Sequence, residues 1–186
     1  MSTEKSSAQD AMESGGPHST TPRADLAPRG AVESNVAFDC GWGRLLFGQT
    51  FADASDLADC LRAEGPGRRD IAFYILDPHV VLAAAPQELF LDPSHTYRLN
   101  LKTYEPASTA PRGFHIRRLE SLQDAEEINR IYAARRMVTV APNFFWEHRD
   151  SDAITYLVAV DDKTNTIVGT VTGVDHNAAF GDPEKG

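Results

Sequence analysis

The chain has 186 residues, 41% hydrophobic and 24% charged, the make-up of an ordinary globular protein of one domain or one and a half. Its 18 basic against 27 acidic side chains leave a formal charge of −9, which argues against nucleic acid as a partner because phosphate contact needs a basic face. No run approaches the roughly 18 apolar residues of a membrane span, and the polar, acid-bearing start lacks the apolar core of a secretory signal; a cytoplasmic protein without a membrane partner is expected.

Residues 1–36 are rich in Ser, Thr, Gly, Pro and Ala. Such a segment buries too little surface to offset its chain entropy, so a disordered tail is expected. Order should begin near Phe38. Residues 42–51 are aromatic and aliphatic with Gly punctuation and read as a strand or strand pair. Residues 53–62 carry Leu57 and Leu61 at helical spacing, with Asp53 as N-cap and Gly65-Pro66-Gly67 as the stop. Residues 70–76 form a short apolar run bounded by Asp77-Pro78 and read as a buried strand. Residues 79–84 suit another strand or the lead into a helix, 86–90 a single helical turn, and the alternating 97–101 a strand. Residues 37–104 are thus expected to be a small α/β module, and 105–113, with two Pro and a Gly, a linker.

A second module, 114–186, opens with an alternating strand at 114–119. Ser121 and Asp124 have the spacing of a capping box. The helix behind them, from 122 to 135 or 136, places Ala125, Ile128, Ile131 and Tyr132 on one face. Pro142 starts a short second helix to about 149. Residues 154–160 and 166–174 are strands joined by a turn at 161–165. Residues 175–186 read as loop. The second strand would be an unprotected edge bearing Ile167, Val168 and Val171, which invites pairing with another chain. Cys40 and Cys60 are too few for a disulfide scaffold and lack the paired spacing of a zinc site, so two reduced thiols and no metal are expected. The separated His79, His95 and His115 have no metal spacing either, and no G-x-S-x-G motif of a serine hydrolase occurs.

The order of the second module resembles the first half of a GNAT acyltransferase domain. The resemblance is carried by His115-Ile116-Arg117-Arg118-Leu119, the capped helix from Ser121, and the hairpin Tyr156-Leu157-Val158-Ala159-Val160-Asp161 with Ile167-Val168-Gly169-Thr170-Val171. From Phe38 onward the chain looks like a narrower group, the two-module GNAT proteins of the pathway to N-acetylglutaminylglutamine amide. Residues 38–45, Arg135-Arg136-Met137-Val138 and Asn143-Phe144-Phe145-Trp146 carry that likeness. The resemblance implies an α+β fold with a mixed sheet and acyl transfer from acetyl-CoA, as co-substrate, to the amine of a small amino-acid or peptide substrate. It also implies partner enzymes of the same pathway or a homo-oligomer.

GNAT domains hold the CoA pyrophosphate at a Gly-rich turn opening a helix, where free N–H groups meet phosphate. No stretch of Arg or Gln, two residues, Gly, one residue, Gly or Ala stands in this chain after the hairpin. A half domain without the cofactor side, inactive alone, is therefore expected. The resemblance places Met137, Phe144, Phe145, Trp146 and His148 at the acceptor pocket, with Glu147 or His148 on the amine; the competing reading makes the aromatics core and the charges solvated face. Asp175 beside His176 could deprotonate an ammonium through water, or be a polar strand end. The rival function is a non-catalytic binding or interaction module.

Overall fold

The structure, a computed structural model, describes residues 32–95, 97–109 and 112–183. It is an α+β fold with two three-stranded sheets. In the first sheet, β1 (Ala37–Asp39) pairs antiparallel with β2 (Arg44–Phe47), and β2 pairs parallel with β3 (Ile71–Phe73). Helix α1 (Ala54–Arg62) makes the crossover that parallel pairing requires. The Asp53 carboxylate accepts from the Ser55 N–H at 2.7 Å and caps it. Helix α2 (Pro78–Ala84) follows β3 with Pro at its first position. Leu46, Leu57, Ala58 and Val81 form the core of this module.

The second sheet runs β4 (Phe114–Arg118), β5 (Ile154–Asp161), β6 (Ile167–Val174), antiparallel throughout, with β6 at an edge. Between β4 and β5 lie α3 (Leu122–Ala134) and α4 (Pro142–Glu147). Strand β5 alternates strictly: Ile154, Tyr156, Val158 and Val160 turn inward against Ala125, Ile128, Tyr132 and Phe145. Burying Phe145 completely contributes roughly 2–3 kcal/mol. The register Arg117↔Val158 puts Arg117 of β4 on that same inner face, while Phe114 and Ile116 point to the opposite face and stay exposed with Val168 and Val171.

Arg117 is answered from α3. Its guanidinium donates to both oxygens of Asp124 at 2.7 and 2.9 Å. Asp124 also accepts from the Glu120 N–H at 2.8 Å, and its own N–H donates to the Ser121 hydroxyl at 3.2 Å. The capping box is therefore half formed: Ser121 caps as expected, and Asp124 ties the helix to the strand before it.

The two modules share a core. Cys40, just after β1, is 1% exposed and sits in the cluster built by α3, α4 and β5. Phe38, Trp42 and Leu45 pack against the same cluster. Gly41 makes this possible. At φ 84° it lies so close to α4 that a Cβ would fall 2.7 Å from Phe144 Cδ1 and nearer still to Val140 Cγ1. A third cluster joins Val36 and Phe47 to Phe180.

Several expectations are corrected. The expected disordered tail lies outside the described residues up to 31, but 32–36 are ordered. Val36 is buried, and the Glu33 N–H donates to the Phe180 carbonyl at 3.1 Å. Residues 70–76 give only a three-residue edge strand, with Ile71 exposed and Leu76 95% exposed, because β3 has a partner on one side only. Residues 97–101 alternate yet pair with no strand among the described residues; the chain turns locally, with the Lys102 N–H on Asn100 Oδ1 at 3.0 Å and the Thr103 N–H on the Asn100 carbonyl at 3.1 Å. Other expectations agree with the structure: residues 86–90 make a single turn on the Ala85 carbonyl, and 79–84 take the helical alternative as part of α2. Residues 175–183 are not all loop: α5 (His176–Phe180) is capped by Asp175 and ends at Gly181 in the left-handed region, φ 76°. Both cysteines are free thiols. Among the described residues no helix is long and apolar enough to cross a membrane.

Two outcomes follow from this packing. Gly41→Ala should cost about 2–4 kcal/mol, from overpacking plus backbone strain. Gly67→Ala, at φ 71° with nothing within 4 Å of its Cβ, should cost about 1 kcal/mol for strain alone. Urea unfolding of both variants separates the packing contribution; equal losses would show that Gly41 needs only its backbone angle. The Arg117 guanidinium holds the Asp124 carboxyl below its usual range, against the opposing effect of burial. Folded Asp124 thus binds a proton less readily than the unfolded group, at about 3.9. Its stabilisation is complete above that value and lost as pH falls through the lower folded one. Urea midpoints measured from pH 6 to pH 2 should fall less steeply in Asp124→Asn, which should itself be about 2 kcal/mol less stable at pH 6.

Candidate functional site

A cleft of about 520 Å³ lies between the modules. That volume suits a small molecule. One wall is β3 with α1 and α2, contributing Asp70, Ile71, Leu61 and Val81; the other is the α3–α4 connection, Arg136, Met137 and Val138. Trp42, Leu89 and Phe90 complete it.

The first wall is set by a close backbone approach. The Arg69 N–H donates to the Trp42 carbonyl at 2.9 Å, and a Cβ on Gly43 would overlap the Arg69 carbonyl. Asp70 then pins the strand. It accepts from the Arg44 backbone N–H at 2.7 Å, from Nε at 2.9 Å and from Nη2 at 2.6 Å. Arg44 Nη2 also reaches the Cys60 carbonyl at 2.8 Å, tying α1 to β2. The Asp70 side chain is 2% exposed, so this pair is a desolvated ion pair held by several hydrogen bonds. The second wall is set by Asn129 on α3. Its amide donates to the Val140 carbonyl at 2.6 Å and accepts from the Val140 N–H at 2.8 Å. Helix α3 closes with Arg136 at φ 58°, where the Met137 N–H donates to the Tyr132 carbonyl at 2.9 Å.

The residues proposed from sequence fall in three places. Met137 is half exposed and lines the cleft. Phe144, Phe145, Trp146 and His148 surround α4. Phe144 faces Gly41 and stacks on His148, ring centroids 4.2 Å apart. His148 Nδ1 is 2.8 Å from the Phe144 carbonyl, so Nδ1 carries a proton and donates. Trp146 is half-buried beneath the Arg149 guanidinium, 4.1 Å above its ring. Phe145 has no exposed surface and packs edge-on against Tyr156 at 4.9 Å; it is core, not pocket wall. Glu147 is exposed.

Asp175 and His176 form the third group. Asp175 Oδ1 accepts from the Asn177 and Ala178 N–H groups at 2.9 and 3.0 Å. His176 packs among Phe47, Tyr74 and Phe180. The pair is a helix cap beside an aromatic cluster, with neither residue on the cleft. The cleft residues that sequence reasoning passed over are Trp42, Arg69, Phe90 and Arg136. Gly41-x-Gly43 was the available signal, because paired glycines mark close backbone approach around the residue between them.

Among the described residues no activated nucleophile emerges. Burial pushes the Cys40 thiol up to about 12, with the Asp39 carboxylate adding to it, so it stays protonated at neutral pH. Burial likewise raises Tyr132 and Tyr156. The Tyr156 hydroxyl is buried with no hydrogen-bond partner among the described residues. Among those residues no group of three or more His, Cys, Asp and Glu converges.

No protein-family model matches the chain, and no curated protein or solved structure matches it.

Proposed function

We propose that this chain carries the acceptor-binding side of an acyl-CoA-dependent N-acyltransferase and holds an amine-bearing small molecule in the cleft between its modules. The observation that carries the reading is the order β4, α3, α4, β5, β6, with both helices on one face of an antiparallel sheet and the cleft opening at the α3–α4 connection. That order is the one in the GNAT resemblance, and Met137 lies at the cleft. What these residues supply is binding, orientation and exclusion of water around the amine.

Acetyl-CoA is the co-substrate this reading implies, and the residues after β6 do not fit its pyrophosphate. Helix α5 has five residues, and its first N–H groups already serve the Asp175 carboxylate. An anion would have to displace that cap. No step through acetyl-CoA is assigned to these residues.

A second reading, a non-catalytic binding module, is favoured by one observation. The carboxylate–imidazole neighbours Asp175 and His176 are engaged in capping and aromatic packing, away from the cleft.

Nuclear magnetic resonance titration of the labelled chain with amino acids and dipeptides separates these readings from none. Amine-bearing ligands should shift the amides of Ile71, Met137 and Val138, and their N-acetylated products should shift the same set. Absence of shifts at the cleft with every ligand would reject the acceptor reading. Cleft binding by ligands lacking an amine, with none by amines, would favour the binding module.

A further inference from the structure

Two arginines border the cleft without an ion pair to its carboxylates among the described residues. Four acidic side chains border it, Glu64, Asp70, Glu88 and Asp92. Asp70 is paired with Arg44 at 2.6 Å, and Glu88 with Arg62 at 2.5 Å. Glu64 accepts the Asp70 N–H at 2.5 Å. Two arginines border the same space, Arg69 and Arg136. Neither has an ion pair with a carboxylate among the described residues.

Both arginines are anchored at the backbone. The Arg69 N–H is bonded to Trp42, and its guanidinium lies 5.7 Å from the centroid of the Phe90 ring. Arg136 is fixed in the left-handed region, with its N–H donating to the Ala133 carbonyl at 3.0 Å. A non-glycine residue there costs roughly 1–2 kcal/mol. The remaining lining is mainly apolar, with Trp42, Ile71, Ile75, Leu89, Phe90 and Met137.

We infer that the cleft takes a small molecule with an apolar body and a carboxylate, the carboxylate held by Arg69 and Arg136. A guanidinium matches a carboxylate with two parallel N–H donors, and the apolar walls suit the body of the ligand. The inference rests on the acceptor reading above and narrows it to an amino-acid type of acceptor with a free α-carboxylate. Asp92, which has no ion pair among the described residues, offers the counter-charge for the ammonium group of such a ligand.

The test uses the full chain and three probes of one shape: L-leucine, L-leucinamide and 4-methylpentanoate, followed by amide shifts at Ile71, Met137 and Val138. Leucine and 4-methylpentanoate should bind, and leucinamide should bind at least tenfold more weakly. Arg69→Gln and Arg136→Gln should each weaken leucine about 5- to 30-fold and leave leucinamide unchanged. Thermal melts confirm that the variants fold, as both side chains are exposed. Equal binding of leucine and leucinamide would overturn the carboxylate inference while the acceptor cleft stands. Silence from all three probes at the cleft would overturn both.

Discussion

The structure depends on a side chain that is missing. Gly41 lets the connection between β1 and β2 lie against Val140 and Phe144, and that contact carries Cys40 into the core of the second module. A domain core gains stability from apolar area removed from water, and here two small sheets pool theirs. Three strands with a few covering helices are close to the minimum that is independently stable. The docking also sets the site, because the cleft has one wall from each module. Its walls are therefore held where the modules dock, at Gly41, at Trp42 and at the cluster of Val36, Phe47 and Phe180.

Charge is handled in a consistent way across the fold. The two inward carboxylates, Asp70 and Asp124, each take one arginine and at least one backbone N–H. Such pairing offsets the cost of taking a carboxylate out of water. Arg44 and Arg117 are spent inside in this way. Arg69 and Arg136 stay on the cleft without such a partner among the described residues.

Much of the second module was legible in the sequence because local and long-range preferences agree there. Strand β5 alternates, α3 has its apolar stripe, and Ser121 caps it. The capping pair hid one detail: Asp124 reaches Arg117, a partner that becomes visible only when β4 is placed beside β5. Helix α5 was legible and passed over, since Asp175 is a good cap and Gly181 a good stop. Residues 97–101 show the reverse failure, an alternating pattern with no strand to pair with among the described residues. The site was least legible. Aromatics such as Phe145 look alike in sequence whether they line a pocket or fill a core, and the cleft brings together residues as distant in sequence as Trp42 and Met137.

The shared core is tested most directly by the accessibility of Cys40. Its thiol can be labelled with a small cysteine reagent as a function of denaturant, with Cys60, partly buried on α1, as the internal reference. If the modules form one core, Cys40 labels only through global unfolding, with the free energy and denaturant slope of the whole chain. Labelling of Cys40 at a much lower free energy, while the amides of β5 stay protected from hydrogen exchange, would show that the modules part on their own and would contradict the account.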